Sequence, residues 1–276
     1  MTIRRTSANR WLICTHPRPQ PLLRLLLVPS AGTGAGLYHG WARAMPSWLE
    51  TWGVTAPGRD HRLSEPVPRL IREHVFGIAE ALRELDDVPL VVFGHSMGSA
   101  IGFELVRYLR DGGQPLPVRL FVSSLRAPRL PTDHDPEHEL PDGELVARVR
   151  MRYGGFPPEV EEFPEVLELA LEVLRQDLRA VETHAWLSGP PLPTPITALG
   201  GDADPSVPVG DLLPWAEETI AGFTWHVFPG DHRYLDTRRH DVLAFLRQEL
   251  RALGAGTQGP RQANLDSSQA HSIRER

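Results

Sequence analysis

Apolar residues in this chain follow two patterns that alternate along much of its length. Residues 22–28, Leu-Leu-Arg-Leu-Leu-Leu-Val, form a short, nearly continuous apolar run ended by Pro29, which predicts a strand buried on both faces. Similar runs at 52–56, 88–93, 119–123, 196–199 and 223–228 predict further strands, with Pro57-Gly58 closing one and Gly94 another. Between them the period changes. Ile71, Val75, Ile78, Leu82 and Leu85 recur at steps of four and three, the spacing of one helical face, and Ile101, Leu105 and Leu109 mark a second helix. Helices near 212–219 and 241–253 follow in the same way. Alternation of this kind requires right-handed crossovers, so it predicts an α/β fold with a mostly parallel central sheet and helices on both faces.

The alternation breaks after Arg126. From 128 to about 186 there is no strand-like run, only polar, acidic and helical sequence, including amphipathic stretches at 143–152 and 165–178. This predicts a helical lid inserted into one domain spanning 1–253, with Gly154-Gly155 as a hinge candidate. Residues 254–276 are polar and aperiodic, which predicts a disordered tail.

Composition narrows the chemistry. A formal net charge of −6 disfavours nucleic acid as a partner, and no apolar run approaches the roughly 18 residues needed to span a membrane. Basic residues near the start are followed by no apolar signal core, so the expected location is the cytoplasm. Cys14 is the only cysteine, which rules out an internal disulfide and a cysteine-based zinc cluster. All 29 basic residues are Arg, so neither a Schiff-base lysine nor a lysine-dependent phosphate loop is available. His134 and His138 stand among acidic residues without a second cluster, the pattern of a solvated loop, and no metal or cofactor is expected.

Gly94-His95-Ser96-Met97-Gly98 has the G-x-S-x-G form, directly after a predicted strand and before a predicted helix. In that context the serine sits on a sharp turn at the sheet's carboxyl edge, the nucleophile elbow of the α/β-hydrolase fold, and flanking glycines let strand and helix approach. A serine hydroxyl needs a base and an orienting acid, which in this fold follow later in the chain, acid first. Asp202 and Asp204, after the strand at 196–199, are the two candidate acids. His232, after the last strand, is the candidate base, in preference to His226 within that strand, His240 at the final helix and His271 in the tail. Backbone amides of Met97 and of the loop after the first strand, residues 29–36, are the expected oxyanion donors. Gly32 and Gly34 of that loop fit a dinucleotide fingerprint, but Leu37 occupies the place of its third glycine.

These segments resemble type II thioesterases that accompany modular polyketide and nonribosomal peptide synthetases. Besides the elbow, Pro29-Ser30-Ala31-Gly32 is similar to the family's Pro-Tyr-Ala-Gly-Gly loop, and Pro57-Gly58-Arg59-Asp60-His61-Arg62 to its Pro-Gly-Arg-Glu-x-Arg segment. Ser123 to Pro128, Tyr153-Gly154-Gly155-Phe156-Pro157 and Leu174-Arg175-Gln176-Asp177 also resemble family positions. The resemblance implies Ser96 as nucleophile, Asp204 as acid, His232 as base, and Ala31 and Met97 as oxyanion amides. It further implies hydrolysis of acyl thioesters on the phosphopantetheine arm of carrier proteins, clearing stalled or aberrant acyl groups. Ser30, Thr33 and Arg233-Tyr234 depart from the family pattern in the pocket wall, outside the triad. Esterase or short-chain thioesterase action on free small molecules, and a non-catalytic binding protein on the same fold, are the competing expectations.

Overall fold

A computed structural model describes residues 4–5, 10–131 and 135–256. The apolar runs become strands β1 (Arg4–Arg5), β2 (Leu12–Cys14), β3 (Leu23–Val28), β4 (Leu49–Val54), β5 (Leu90–His95), β6 (Arg119–Ser123), β7 (Ile196–Gly201) and β8 (Phe223–Phe228). They form one sheet in the order β1-β2-β4-β3-β5-β6-β7-β8. The β1–β2 and β2–β4 pairings are antiparallel; those from β4 across to β8 are parallel.

All six positions of β3 are buried, which explains its apolar run, and its one charge has a partner across the sheet. Arg24 lies opposite Glu50 of β4 and donates from Nε to Glu50 Oε2 at 3.1 Å. That partner accounts for a difference from expectation, because β4 starts at Leu49, before the predicted 52–56, and ends at Val54. Glu50 and Thr51 interrupt the apolar pattern, yet both are buried, and Glu50 also accepts from Trp52 Nε1 at 2.8 Å and Arg18 N at 3.0 Å. The short strands β1 and β2 were not predicted; neither is long enough to show a period.

The helices are α1 (Trp41–Ala44), α2 (Ile71–Leu82), α3 (Met97–Asp111), α4 (Asp142–Tyr153), α5 (Pro158–Glu161), α6 (Pro164–Glu182), α7 (Tyr234–Thr237) and α8 (Arg239–Gly256). Leu26, Val28 and Val92 join a core with Ile71 and Ile78 of α2 and Ile101 and Leu105 of α3. Their strand neighbours Leu25, Leu27, Val91 and Phe93 join a second core with Trp41 of α1 and Leu246 and Leu250 of α8. Strand alternation thus fills both faces of the sheet. The expected helix at 212–219 is a 3₁₀ segment, Val209–Glu218, with Pro214 inside it; proline has no N–H to donate to an α-helical ladder. Helix α8 runs to Gly256, into the stretch expected as a tail, and the rest of that tail, 257–276, lies outside the described residues.

Between β6 and β7 stand α4, α5 and α6, the region expected as a lid. Leu145 and Val149 of α4 pack on Leu171, Leu174 and Leu178 of α6. A fully buried carboxylate ties the region together, since Glu137 accepts from Arg152 Nη1 at 2.6 Å, Arg148 Nη1 at 3.4 Å and the Tyr153 hydroxyl at 3.1 Å.

Candidate active site

Ser96 sits between β5 and α3 with φ +54° and ψ −120°, a left-handed conformation that costs a non-glycine residue energy and persists only where surroundings enforce it. The enforcement is visible. Ser96 N donates to the Ser123 carbonyl at 2.7 Å, and the Ser99 hydroxyl donates to Gly94 O and Ser123 O, both at 2.9 Å. A Cβ on Gly94 would strike the Gly98 carbonyl, and one on Gly98 would strike the Val28 carbonyl, so strand and helix meet only because both residues are glycine.

His232 follows β8 and Asp204 follows β7, and the parallel pairing of these strands brings the two loops together. His232 Nδ1 lies 2.8 Å from Asp204 Oδ2, with both side chains buried. The other carboxylate oxygen, Oδ1, accepts from Ser206 N at 2.9 Å and Val207 N at 3.2 Å. Burial alone would raise the Asp204 pKa; the hydrogen bond and charge of His232, with the Ser206 amide, outweigh it and hold the group below its ordinary value. Asp202 is exposed and accepts from Gly230 N at 2.8 Å, a turn contact. His226 is exposed on β8 and stacks on Phe245, His240 is exposed at the start of α8, and His138 pairs with Glu182 in the lid. His134 and His271 lie outside the described residues.

Sequence reasoning placed the groups that frame His232 in motif segments but did not connect them with it. His95 is buried with its ring 5.2 Å from that of His232, and burial first, then the neighbouring His232, lowers its pKa to about 3. It is neutral near pH 7. Its Nδ1 lies 2.7 Å from Ser123 Oγ, which in turn lies 2.5 Å from the Tyr234 hydroxyl. On the lid side, the ring of Tyr153 meets His232 edge-on at 5.0 Å. The spacing of the chain holds no signal for these contacts, because they join five separate loops and elements.

Ser96, His232, Ala31 and Met97 line one cavity of about 580 Å³, within the usual 300–1,000 Å³ range of small-molecule sites. Met97 opens α3, and the first amides of a helix have no partner within it and carry the positive end of its dipole. Leu174, Leu178 and Val181 of α6 give the cavity an apolar wall. Among the described residues no cluster of three or more His, Cys, Asp or Glu is arranged to hold a metal ion, and no helix is long and apolar enough to cross a membrane.

The family model of the thioesterase domain matches residues 23–250, from β3 to the last turns of α8. The chain belongs to the thioesterase family. Gramicidin S biosynthesis protein GrsT of Aneurinibacillus migulanus is 32% identical to this thioesterase over 246 residues, covering 89% of this chain and 96% of that one. The structure of BorB, a type II thioesterase from the borrelidin biosynthetic cluster, matches at 34% identity and TM-score 0.76, covering 87% of this chain and 96% of the other. RedJ, a thioesterase from the prodiginine pathway of Streptomyces coelicolor, matches at 33% identity and TM-score 0.78, covering 85% and 95%. The family resemblance carried by the motifs and the α/β-hydrolase fold expected from the elbow both hold for this thioesterase.

Proposed function

We propose that this thioesterase hydrolyses acyl thioesters borne on the phosphopantetheine arm of carrier proteins in polyketide or nonribosomal peptide synthesis, releasing stalled or aberrant acyl groups. The observation that carries the reading is the strained Ser96 sharing a lid-covered, largely apolar cavity with His232, which Asp204 holds from behind the wall. The names of GrsT, BorB and RedJ, tied to gramicidin S, borrelidin and prodiginine biosynthesis, support the substrate class.

In this scheme Ser96 Oγ attacks the thioester carbonyl carbon while His232 Nε2 takes its proton and Asp204 holds the imidazole by Nδ1. The carbonyl oxygen becomes an oxyanion facing the Ala31 and Met97 amides. Collapse breaks the carbon–sulfur bond, and His232 returns the proton to the departing sulfur. With a thiol pKa of about 8.5, that leaving group needs far less acid assistance than an amine. Water, deprotonated by His232, then attacks the acyl-enzyme and frees the acid and Ser96. We take the body from the first strand through the last helix as one catalytic domain, with 128–186 as its lid, working in the cytoplasm beside the synthases it serves.

The test is release of a labelled acyl group from a carrier protein by the purified enzyme. Ser96→Ala should lower the rate by several orders of magnitude, as loss of a triad nucleophile does. Retention of more than roughly a tenth of the wild-type rate would remove Ser96 from its role. Hydrolysis of free esters with no release from the carrier would move the activity to the small-molecule class.

A further inference from the structure

Asp177 lies in α6 with its side chain wholly shielded from solvent, an expensive place for a charge. Its Oδ2 accepts from Gly32 N at 2.8 Å and from Arg59 Nη1 at 2.7 Å, and its Oδ1 accepts from Arg59 Nη2 at 2.8 Å. Arg59 Nη1 also donates to the Thr33 carbonyl at 2.9 Å. The lid helix and the loop after β4 therefore grip this segment at two peptide groups, Ala31–Gly32 and Thr33–Gly34, on either side of the Gly32–Thr33 link. Gly32 has φ +71°, and Leu174, one turn before Asp177, packs within 3.1 Å of where a Cβ on Gly32 would stand. His74 lies close by, and burial lowers its pKa to about 4, so it brings no competing positive charge near neutral pH.

A buried ion pair is a poor source of stability, since apolar side chains of similar volume do as well or better. It is a good source of geometry. Orienting the Gly32 N–H fixes the Ala31–Gly32 peptide plane; the Ala31 N–H lies in the plane before it, whose Ser30 carbonyl accepts from Thr33 N at 3.2 Å and Thr33 Oγ1 at 2.9 Å, so holding Gly32 and Thr33 restrains that plane from both sides.

We propose that Asp177, held by Arg59, is a positioning residue for the oxyanion hole, aiming the Ala31 amide through Gly32 and the Thr33–Ser30 contacts and coupling that aim to the seating of lid helix α6. The proposal rests on the reading of Ala31 as an oxyanion donor. Removing an oxyanion donor outright costs about 10²–10³ in kcat, so misaiming one should cost roughly 10- to 100-fold.

The experiment replaces the pair by apolar side chains, Arg59→Met with Asp177→Leu, which keeps the site filled without leaving a lone charge. Thermal stability, kcat, KM and affinity for an alkyl boronic acid, which forms a tetrahedral adduct on the serine, are measured together. A melting temperature near that of the wild type, KM within a few-fold, and kcat and boronate affinity both lowered by roughly 10- to 100-fold are expected. Should the double variant fail to fold, Arg59→Gln with Asp177→Asn keeps a polar pair without a lone charge but weakens the acceptor, and it should lower kcat about 10-fold at nearly constant KM. Wild-type kcat and boronate affinity in either folded variant would overturn the proposal. Ser96→Ala separates the two readings: an active Ser96→Ala enzyme would sink the site itself, whereas an inactive one beside a fully active pair variant sinks the positioning role alone.

Discussion

Asp202 and Asp204 have the same side chain, stand two residues apart after the same strand, and meet different fates. Asp204 turns inward to His232 Nδ1, and Asp202 stays in an exposed turn on Gly230 N. Asp204→Asn should lower kcat by roughly 10⁴, the cost of misorienting a triad imidazole, while Asp202→Asn should stay within a few-fold. Steady-state rates of the two variants decide between them, and a larger loss at Asp202 would reverse the assignment. A second residue-scale expectation concerns the buried histidines. His74 has its pKa lowered to about 4 from 6.5, so between those values the unfolded chain binds a proton that the native protein does not. Stability therefore falls as pH drops through that window, by up to about 1.4 kcal/mol per pH unit per histidine. His74→Gln should remove roughly 2 kcal/mol of the stability change between pH 7 and pH 5. Urea unfolding at both pH values measures it; an unchanged difference would mean that His74 titrates normally. Asp204, held low, contributes stability that is lost only as pH falls below the ordinary carboxylate range, outside this window.

The helices of the lid are not equivalent. Helix α6 buries Leu171, Leu174, Asp177, Leu178 and Ala180, while α5 buries none of its residues. Gly154 and Gly155, both with φ +81°, stand between α4 and α5 and accommodate a turn that other residues resist. Any opening of the cavity should thus use the stretch from Gly154 through α5, with α6 as a fixed wall, which narrows the mobile lid expected over 128–186. Hydrogen exchange checks this: amides around Asp177 should exchange about as slowly as those of α3, and those of α5 far faster. Equally fast exchange in α5 and α6 would show that the ion pair does not anchor the lid.

Across the whole molecule the charge is −6, and the outer lid carries Glu159, Glu161, Glu162, Glu165 and Glu168. An acidic carrier domain gains no global attraction from such a surface, so its docking should be weak and local, a small transient interface beside the cavity mouth. Arg233 and Arg239 line that cavity and are the kind of group that meets carboxylates. One acyl group presented on a carrier protein and on coenzyme A, at matched ionic strength, should give the higher kcat/KM on the carrier. Equal values would take the carrier out of the proposed function.

What the chain's own pattern determined is whatever depends on neighbours in sequence. The apolar run of β3, the period of α2 and the glycines around Ser96 each report a local environment, and local environments select strand, helix or tight turn. Polar positions concealed the rest. The start of β4 was hidden by Thr51 and by Glu50, whose burial depends on Arg24 across the sheet and on Arg18 and Trp52. The family resemblance singles out Asp204, but the residue pattern alone leaves it level with Asp202, and the pairing of β7 with β8 is what brings one carboxylate to His232. Arg59 and Asp177 are 118 residues apart, and although each lies in a segment resembling the family, nothing in either segment names the other as its partner. Periodicity records whether a position is buried but not what it faces, so the partners of buried charges were decided by the tertiary structure alone.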